Sequence, residues 1–461
     1  MSLNPPIRLK NCLKEVQEYR SSRSSDNSSP THKANVCTPE LLLNDYSYLH
    51  FFLLLFFIFG HSSAQAEGRD STRHYGFQVN VGTGKYINID QYTKKFVKPK
   101  ASHIIGMEVN HSALPCDSNA FDSDYNYPNL SFGLRYHVND VTMHRSPDPD
   151  WGLAEEVDYD SRLGNALTLY GTFTRPLYRD HSWMFDYSLG SGVGWCMKKY
   201  DKNDNIDDEI IGSHLNVYFT AGLHATYRIA RNWGLMGGVE FFHHSNGALA
   251  RPNKGANFIS PIVGVKYMPF YGKVEDRSKN RIHQPFSPYW YANVTLGVGG
   301  KTLLEDWQDT QFMTSPDSAD YRTEKFRFYM AYSAKADIMY RYARRWASGI
   351  GIDLFYGTYA SHIKELDRKA GYDICHSPYS LGLSFKHHVF YHNLSAAMAV
   401  GYYLYREMGH HAKIIEKPYY EQIGIRYTFP QWKELTIGFN INAHLTKADF
   451  TEIVIAYPIH L

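Results

Sequence analysis

The stretch "FFHHSNGALARPNKGAN", Phe241 to Asn257, sets two histidines beside a serine and an asparagine, with a further asparagine, Asn257, twelve residues after the serine. A serine hydroxyl is a weak nucleophile until a neighbouring imidazole takes its proton. The imidazole needs a third group to fix its tautomer and ring orientation, and an asparagine carbonyl can do this as well as a carboxylate. His243, Ser245 and Asn257 have the right types for such a relay. Asn246, or backbone amides in the Gly247 turn, could hold the oxyanion that forms during acyl transfer.

Whether these groups meet depends on the elements that carry them. From Arg73 onward the chain is a succession of strand-like segments with alternating apolar and polar positions, such as "YGFQVNVGTG" from Tyr75 and "LSAAMAVGYYLY" from Leu394. About sixteen can be counted, and helical periodicity is nowhere sustained. The chain carries 37 tyrosines within an aromatic fraction of 15%, strung along the strands. A soluble sandwich would hide those rings, whereas a membrane interface suits them. A mean hydropathy of −0.43 excludes a polytopic helical membrane protein. A formal net charge of +2 gives no footprint for nucleic acid. The fold class expected is all-β: a transmembrane antiparallel β-barrel of about 14–16 strands, with two eight-stranded barrels split near residue 280 as the alternative.

Connection lengths support a barrel, because its periplasmic turns are short and its outer loops longer. With the first strand rising from the periplasm, the even-to-odd junctions should be short, and Ile229–Asn232, Tyr342–Arg345, Tyr391–Asn393 and Pro430–Glu434 are. Ser112–Pro128 breaks the rule, and the charged Gly272–Pro285 reads as a link between halves. An internal echo, "YRIARNWGLMGGVEFF" from Tyr227 against "YRYARRWASGIGIDLF" from Tyr340, points to duplicated hairpins. Three spans follow: an extension with a leader at 1–66, a first barrel half at 67–271 and a second at 272–461. The leader rests on "FFLLLFFIFG" from Phe51, too short to span a bilayer, followed by a small-x-small site at Ala64–Ala66. Cys116, Cys196 and Cys375 give no disulfide framework.

Alternation along the seventh strand divides the two histidines. Trp233, Leu235, Val239 and Phe241 form an apolar stripe that ends in His243 and Ser245, whereas Glu240 and His244 fall on the opposite, lumenal face. On the eighth strand Asn257 shares the face of Ile259, Val263 and Val265. The returning hairpin can set Asn257 across from His243, facing lipid at the level of the outer leaflet.

"HHSNGALARPNKGAN" resembles the active-site hairpin of outer-membrane lipid esterases, above all the lipid A 3-O-deacylase family, also called acyloxyacyl hydrolases. By that resemblance His243 matches the general base, Ser245 the nucleophile and Asn246 the adjacent asparagine. Asn257 stands where that family has a glutamate. The His-x-Ser-Asn-Gly run with an asparagine as third member is also similar to outer-membrane phospholipase A. The "GSHLNVYF" segment from Gly212 and the turn of Pro252, Asn253 and Gly255 look more like the deacylase. The resemblance implies a hydrolase of the Gram-negative outer membrane that cleaves an acyl ester of lipid A or of a phospholipid, with its site at the outer leaflet. It requires no metal or other cofactor. Calcium, through the carboxylates of "KNDNIDDE" from Lys202, belongs to the phospholipase reading alone; otherwise that segment reads as a solvated outer loop. Homodimerisation is left open.

Two look-alikes of the motif are set aside. Asn110-His111-Ser112 falls at the periplasmic end, where it reads as a turn. His444 and Thr446 resemble a decayed copy of the His-x-Ser pair, without a matching asparagine. A non-catalytic barrel, a pore or a structural protein that keeps an ancestral hairpin, is the competing reading from another class.

Overall fold

The computed structural model describes residues 74–461 except 153, 275–281, 283 and 446. The leader and the extension before it lie outside the described residues, as does Thr446. Sixteen long strands carry the fold. The first eight are β1 (Tyr75–Tyr86), β2 (Ala101–Ser112), β3 (Asn129–Asn139), β4 (Ala166–Arg179), β5 (Trp183–Cys196), β6 (Leu215–Ala230), β7 (Trp233–Ser245) and β8 (Ala256–Tyr267). The second eight are β9 (Tyr289–Thr302), β10 (Phe328–Ala343), β11 (Trp346–Gly357), β12 (His376–Tyr391), β13 (Leu394–Met408), β14 (Tyr419–Phe429), β15 (Leu435–His444) and β16 (Lys447–His460).

The strands close into two antiparallel barrels of eight rather than one larger barrel. The expectation of a single barrel is corrected, and the alternative of two eight-stranded barrels is the observed fold. The deciding contacts are seams: β1 pairs with β8 from Phe77↔Tyr267 to Tyr86↔Phe258, and β9 pairs with β16 from Tyr291↔His460 to Gly300↔Thr451. Alternation within a strand is the same in either closure. Only the pairing of strands distant in sequence tells the two apart.

Alternation sorts the two faces as expected. On β7, Trp233, Leu235, Val239 and Phe241 are exposed, while Met236, Glu240, Phe242 and His244 are buried inside the barrel. The exposed apolar stripes recur on every barrel strand pair and suit lipid, not water. Outward aromatic residues gather near the short-turn end, where Trp183 lies 4.9 Å from Tyr227, Trp233 5.1 Å from Tyr267 and Trp290 4.7 Å from Tyr340. Such rings form a girdle at an interface.

Eight-stranded barrels leave just enough interior for side chains, and both lumens are filled by charged networks. In the first, Arg135 lies 2.7 Å from Glu240 and donates to the Tyr218 hydroxyl at 2.6 Å. His224 bridges Asp186 at 2.8 Å and Glu240 at 3.2 Å. In the second, Lys386 pairs with Asp353 at 2.7 Å and with Asp337, and Lys335 pairs with Glu452. These interiors are plugged, which removes the pore from the competing readings.

The short turns at 231–232, 344–345, 392–393 and 180–182 all lie at one end. The exceptional junction 113–128 lies there too, and its length has a structural use. Its short helix, Ala120–Asp124, reaches the second barrel: Asp122 accepts from the Tyr391 hydroxyl at 2.9 Å, and Asp124 pairs with Arg344 at 3.0 Å. The Tyr125 hydroxyl donates to the Phe390 carbonyl at 2.7 Å. The segment therefore ties the barrels together at the short-turn end.

Candidate active site

β7 and β8 place His243 and Asn257 as a directly opposed pair across the ladder. Their side chains meet on the outer face, with Nδ1 of His243 2.8 Å from Oδ1 of Asn257. An amide oxygen can only accept, so this contact puts the proton on Nδ1 and leaves Nε2 as the basic nitrogen. Ser245, the last residue of β7, is buried and lies two positions further along the same strand, about 7 Å in Cα spacing. Its hydroxyl makes no hydrogen bond to His243 in this resting geometry; such catalytic contacts often tighten only with substrate bound.

Gly255 makes room for the imidazole. Its backbone is left-handed, with φ of +75°, and a Cβ there would stand 2.6 Å from Cε1 of His243. Gly212, the start of "GSHLNVYF", packs just as closely on the Pro252 carbonyl, and the Gly255 amide donates to the Ile210 carbonyl at 3.1 Å. The two segments singled out in the sequence thus form one packed unit behind the histidine.

Asn246 divides its groups. Its backbone amide donates to Oδ1 of Asn253 at 3.0 Å, so that amide is already occupied. Its Oδ1 accepts from the Ala250 amide at 3.3 Å. Its Nδ2 is a buried donor without a partner, which is unusual for a packed polar atom. Of the oxyanion donors expected in this turn, the side-chain amide is free and the backbone amide of 246 is not.

The outer end of the hairpin rests on the second barrel. The Thr451 hydroxyl donates to the Gly247 carbonyl at 2.8 Å. Thr302 donates to the Ala248 carbonyl through its amide at 2.9 Å and its hydroxyl at 3.1 Å, and Arg251 donates back to the Thr302 carbonyl at 3.0 and 3.1 Å. Sequence reasoning missed Asn253, Gly255, Thr302 and Thr451 as supports. Asn253 and Gly255 stood in the quoted motif; the two threonines carry no local signal at all.

The remaining sequence candidates fall elsewhere. His244 points into the lumen, 5.0 Å from the Tyr218 ring. His444 is lumenal too, in contact with Arg406 at 2.7 Å and Tyr403 at 3.1 Å, so it does not repeat the outward His243. His111 sits at the short-turn end of β2 and stacks on His74. The expectation that the "KNDNIDDE" loop is solvated is corrected: Lys202, Asn203 and Asp204 are exposed, but Asn205, Asp207, Asp208 and Glu209 are buried. Arg145 takes Asp207 at 2.7 Å and Glu209 at 3.3 Å, while Asp208 accepts from the Ile210 and Ile211 amides at 3.0 and 3.2 Å. Burial pushes the Asp208 carboxyl up to about 7. These carboxylates serve the loop's own packing.

Residues 126–266 match the family model "Lipid A 3-O-deacylase (PagL)", and residues 290–461 match "Acyloxyacyl hydrolase, C-terminal domain". Between them the two matches take in more than half of the chain. The chain belongs to the lipid A 3-O-deacylase and acyloxyacyl hydrolase family. The deacylase match falls within the first barrel and spans the hairpin, and the C-terminal match spans the whole second barrel. This places the protein in the Gram-negative outer membrane. Among solved structures, the outer membrane enzyme PagL aligns at 16% identity over 41% of this chain and 97% of its own, with a TM-score of 0.26. The copper transporter OprC aligns at 10% identity over 80% of this chain and 57% of its own, with a TM-score of 0.24. No curated protein matches.

Proposed function

We propose that this protein is an outer-membrane serine esterase that hydrolyses an acyl ester of lipid A. Ser245 Oγ attacks the ester carbonyl carbon as His243 Nε2 takes its proton. The tetrahedral oxyanion is held by Asn246 Nδ2, and the proton returns to the leaving sugar oxygen. Water then cleaves the acyl-enzyme by the same base, which yields a free fatty acid and restores Ser245. Asn257 keeps the imidazole in the productive tautomer. The observation that carries this reading is the 2.8 Å contact between His243 and Asn257, two positions from a serine on one lipid-facing strand.

The test compares lipid A and phospholipids, by mass spectrometry, from cells making the natural protein or Ser245→Ala. A deacylated lipid A that depends on the serine is expected; identical profiles would remove the enzyme reading. Asn257 in the third position favours a second reading, a phospholipase, and a serine-dependent change confined to phospholipids would select it.

A further inference from the structure

On the membrane-facing side of the first barrel, one strand away from β7, lies an open surface pocket of about 480 Å3. Ile87, Val97, Pro99 and Ile259 line it together with two lysines, Lys85 and Lys94. Its volume is within the ordinary range for small-molecule sites. It adjoins the triad. Ile259 follows Asn257 by two residues on one face, about 7 Å along the strand, and pairs with Phe241 on one side and Lys85 on the other. The Asn257 carbonyl accepts the Ile87 amide at 2.8 Å, so the pocket wall is hydrogen-bonded directly to the backbone of the third triad member.

The charge in this pocket is unbalanced. Lys95 is paired with Asp148 at 2.9 Å, and Lys254 with Asp90 at 2.9 Å, so the nearby acids are occupied. Among the described residues Lys85 and Lys94 have no carboxylate partner, and both are exposed. Two free ammonium groups over an apolar lining, at the outer-leaflet end of a barrel, suit a phosphorylated lipid headgroup. A phosphate monoester carries close to two negative charges at neutral pH, and its acyl chains can lie along the apolar wall.

We propose that this pocket binds a phosphate of the lipid whose acyl ester is presented to Ser245, and that it thereby selects which acyl position is cut. The proposal rests on the lipid esterase reading, and its test separates the two. The full chain carrying Ser245→Ala, in neutral detergent, is titrated with bisphosphorylated lipid A and with the same lipid after removal of its phosphates, and bound lipid is read by native mass spectrometry. Lys85→Gln with Lys94→Gln should weaken binding of the phosphorylated lipid about 25-fold, from roughly fivefold per lysine near an anionic surface. It should leave the dephosphorylated lipid unaffected. Lys98→Gln with Lys100→Gln, exposed in the same loop but outside the pocket, should change binding less than about threefold. Equal loss for both lipids, no loss for either, or equal loss in the control pair would overturn the pocket. With Ser245 restored, the Lys85/Lys94 variant should release fatty acid from more than one acyl position, whereas the natural protein releases it from one; release from a single position by both would also overturn the proposal. If the natural protein hydrolyses no lipid, the esterase reading falls, and the binding measurements still decide the pocket.

Discussion

Gly255 and His243 face each other with no atom to spare, which makes Gly255→Ala a sharp probe of the site. The added methyl would lie 2.6 Å from Cε1 of the imidazole. Carbon atoms settle at about 3.5–4.0 Å, so the ring must retreat by about 1 Å. A shift of that size cannot keep the 2.8 Å contact with Asn257 and bring Nε2 to Ser245 as well. Misplacement by about 1 Å costs roughly 10²-fold in rate, equivalent to about 2.7 kcal/mol of transition-state stabilisation. The left-handed backbone adds about 1–2 kcal/mol of folding strain for any L-residue. Gly371→Ala separates the two effects, because Gly371 has φ of +81° and nothing within 4 Å of the added Cβ. Lipid A deacylation rates and thermal unfolding of both variants are the assay. Both should lose stability alike, and only Gly255→Ala should lose about 10²-fold in kcat. Full kcat in a folded Gly255→Ala protein would refute the placement of His243, and so would an equal loss in Gly371→Ala.

Asn257→Leu keeps much of the side-chain volume but removes the acceptor for His243. A fall in kcat of about 10²–10⁴-fold with an unchanged barrel is expected, by analogy with loss of the orienting member in other triads. Thr451→Val deletes the hydroxyl that holds the Gly247 carbonyl from the second barrel. It should lower kcat about fivefold while KM stays within about twofold, with Thr451→Ser restoring the rate, since one buried hydrogen bond contributes about 1 kcal/mol; a normal Thr451→Val enzyme would show that the second barrel does not position the hairpin. Glu240→Leu leaves Arg135 buried without its 2.7 Å partner. The first barrel should then lose about 3–5 kcal/mol in urea unfolding, and an unchanged midpoint would contradict the account of its lumen.

The sequence by itself determined the strands and the face each residue takes, because both are local. A period of two sends His243 outward with Phe241 and sends His244 inward with Glu240, whatever the rest of the chain does. The antiparallel return of a short hairpin sets Asn257 opposite His243 for the same reason. Closure was decided only in three dimensions. The pairing of β1 with β8 joins residues at the two ends of the first barrel, and no local pattern distinguishes that seam from a wider one. The supports of the hairpin are equally non-local: Thr302 and Thr451 are ordinary strand-end residues in sequence, and they acquire a role only because the second barrel stands against the Gly247–Arg251 loop. The long junction at 113–128, an exception to the expected turn lengths, makes sense once its helix is seen to hold the barrels together. Local alternation fixes where a side chain points, whereas what it meets there depends on contacts between segments far apart in the chain.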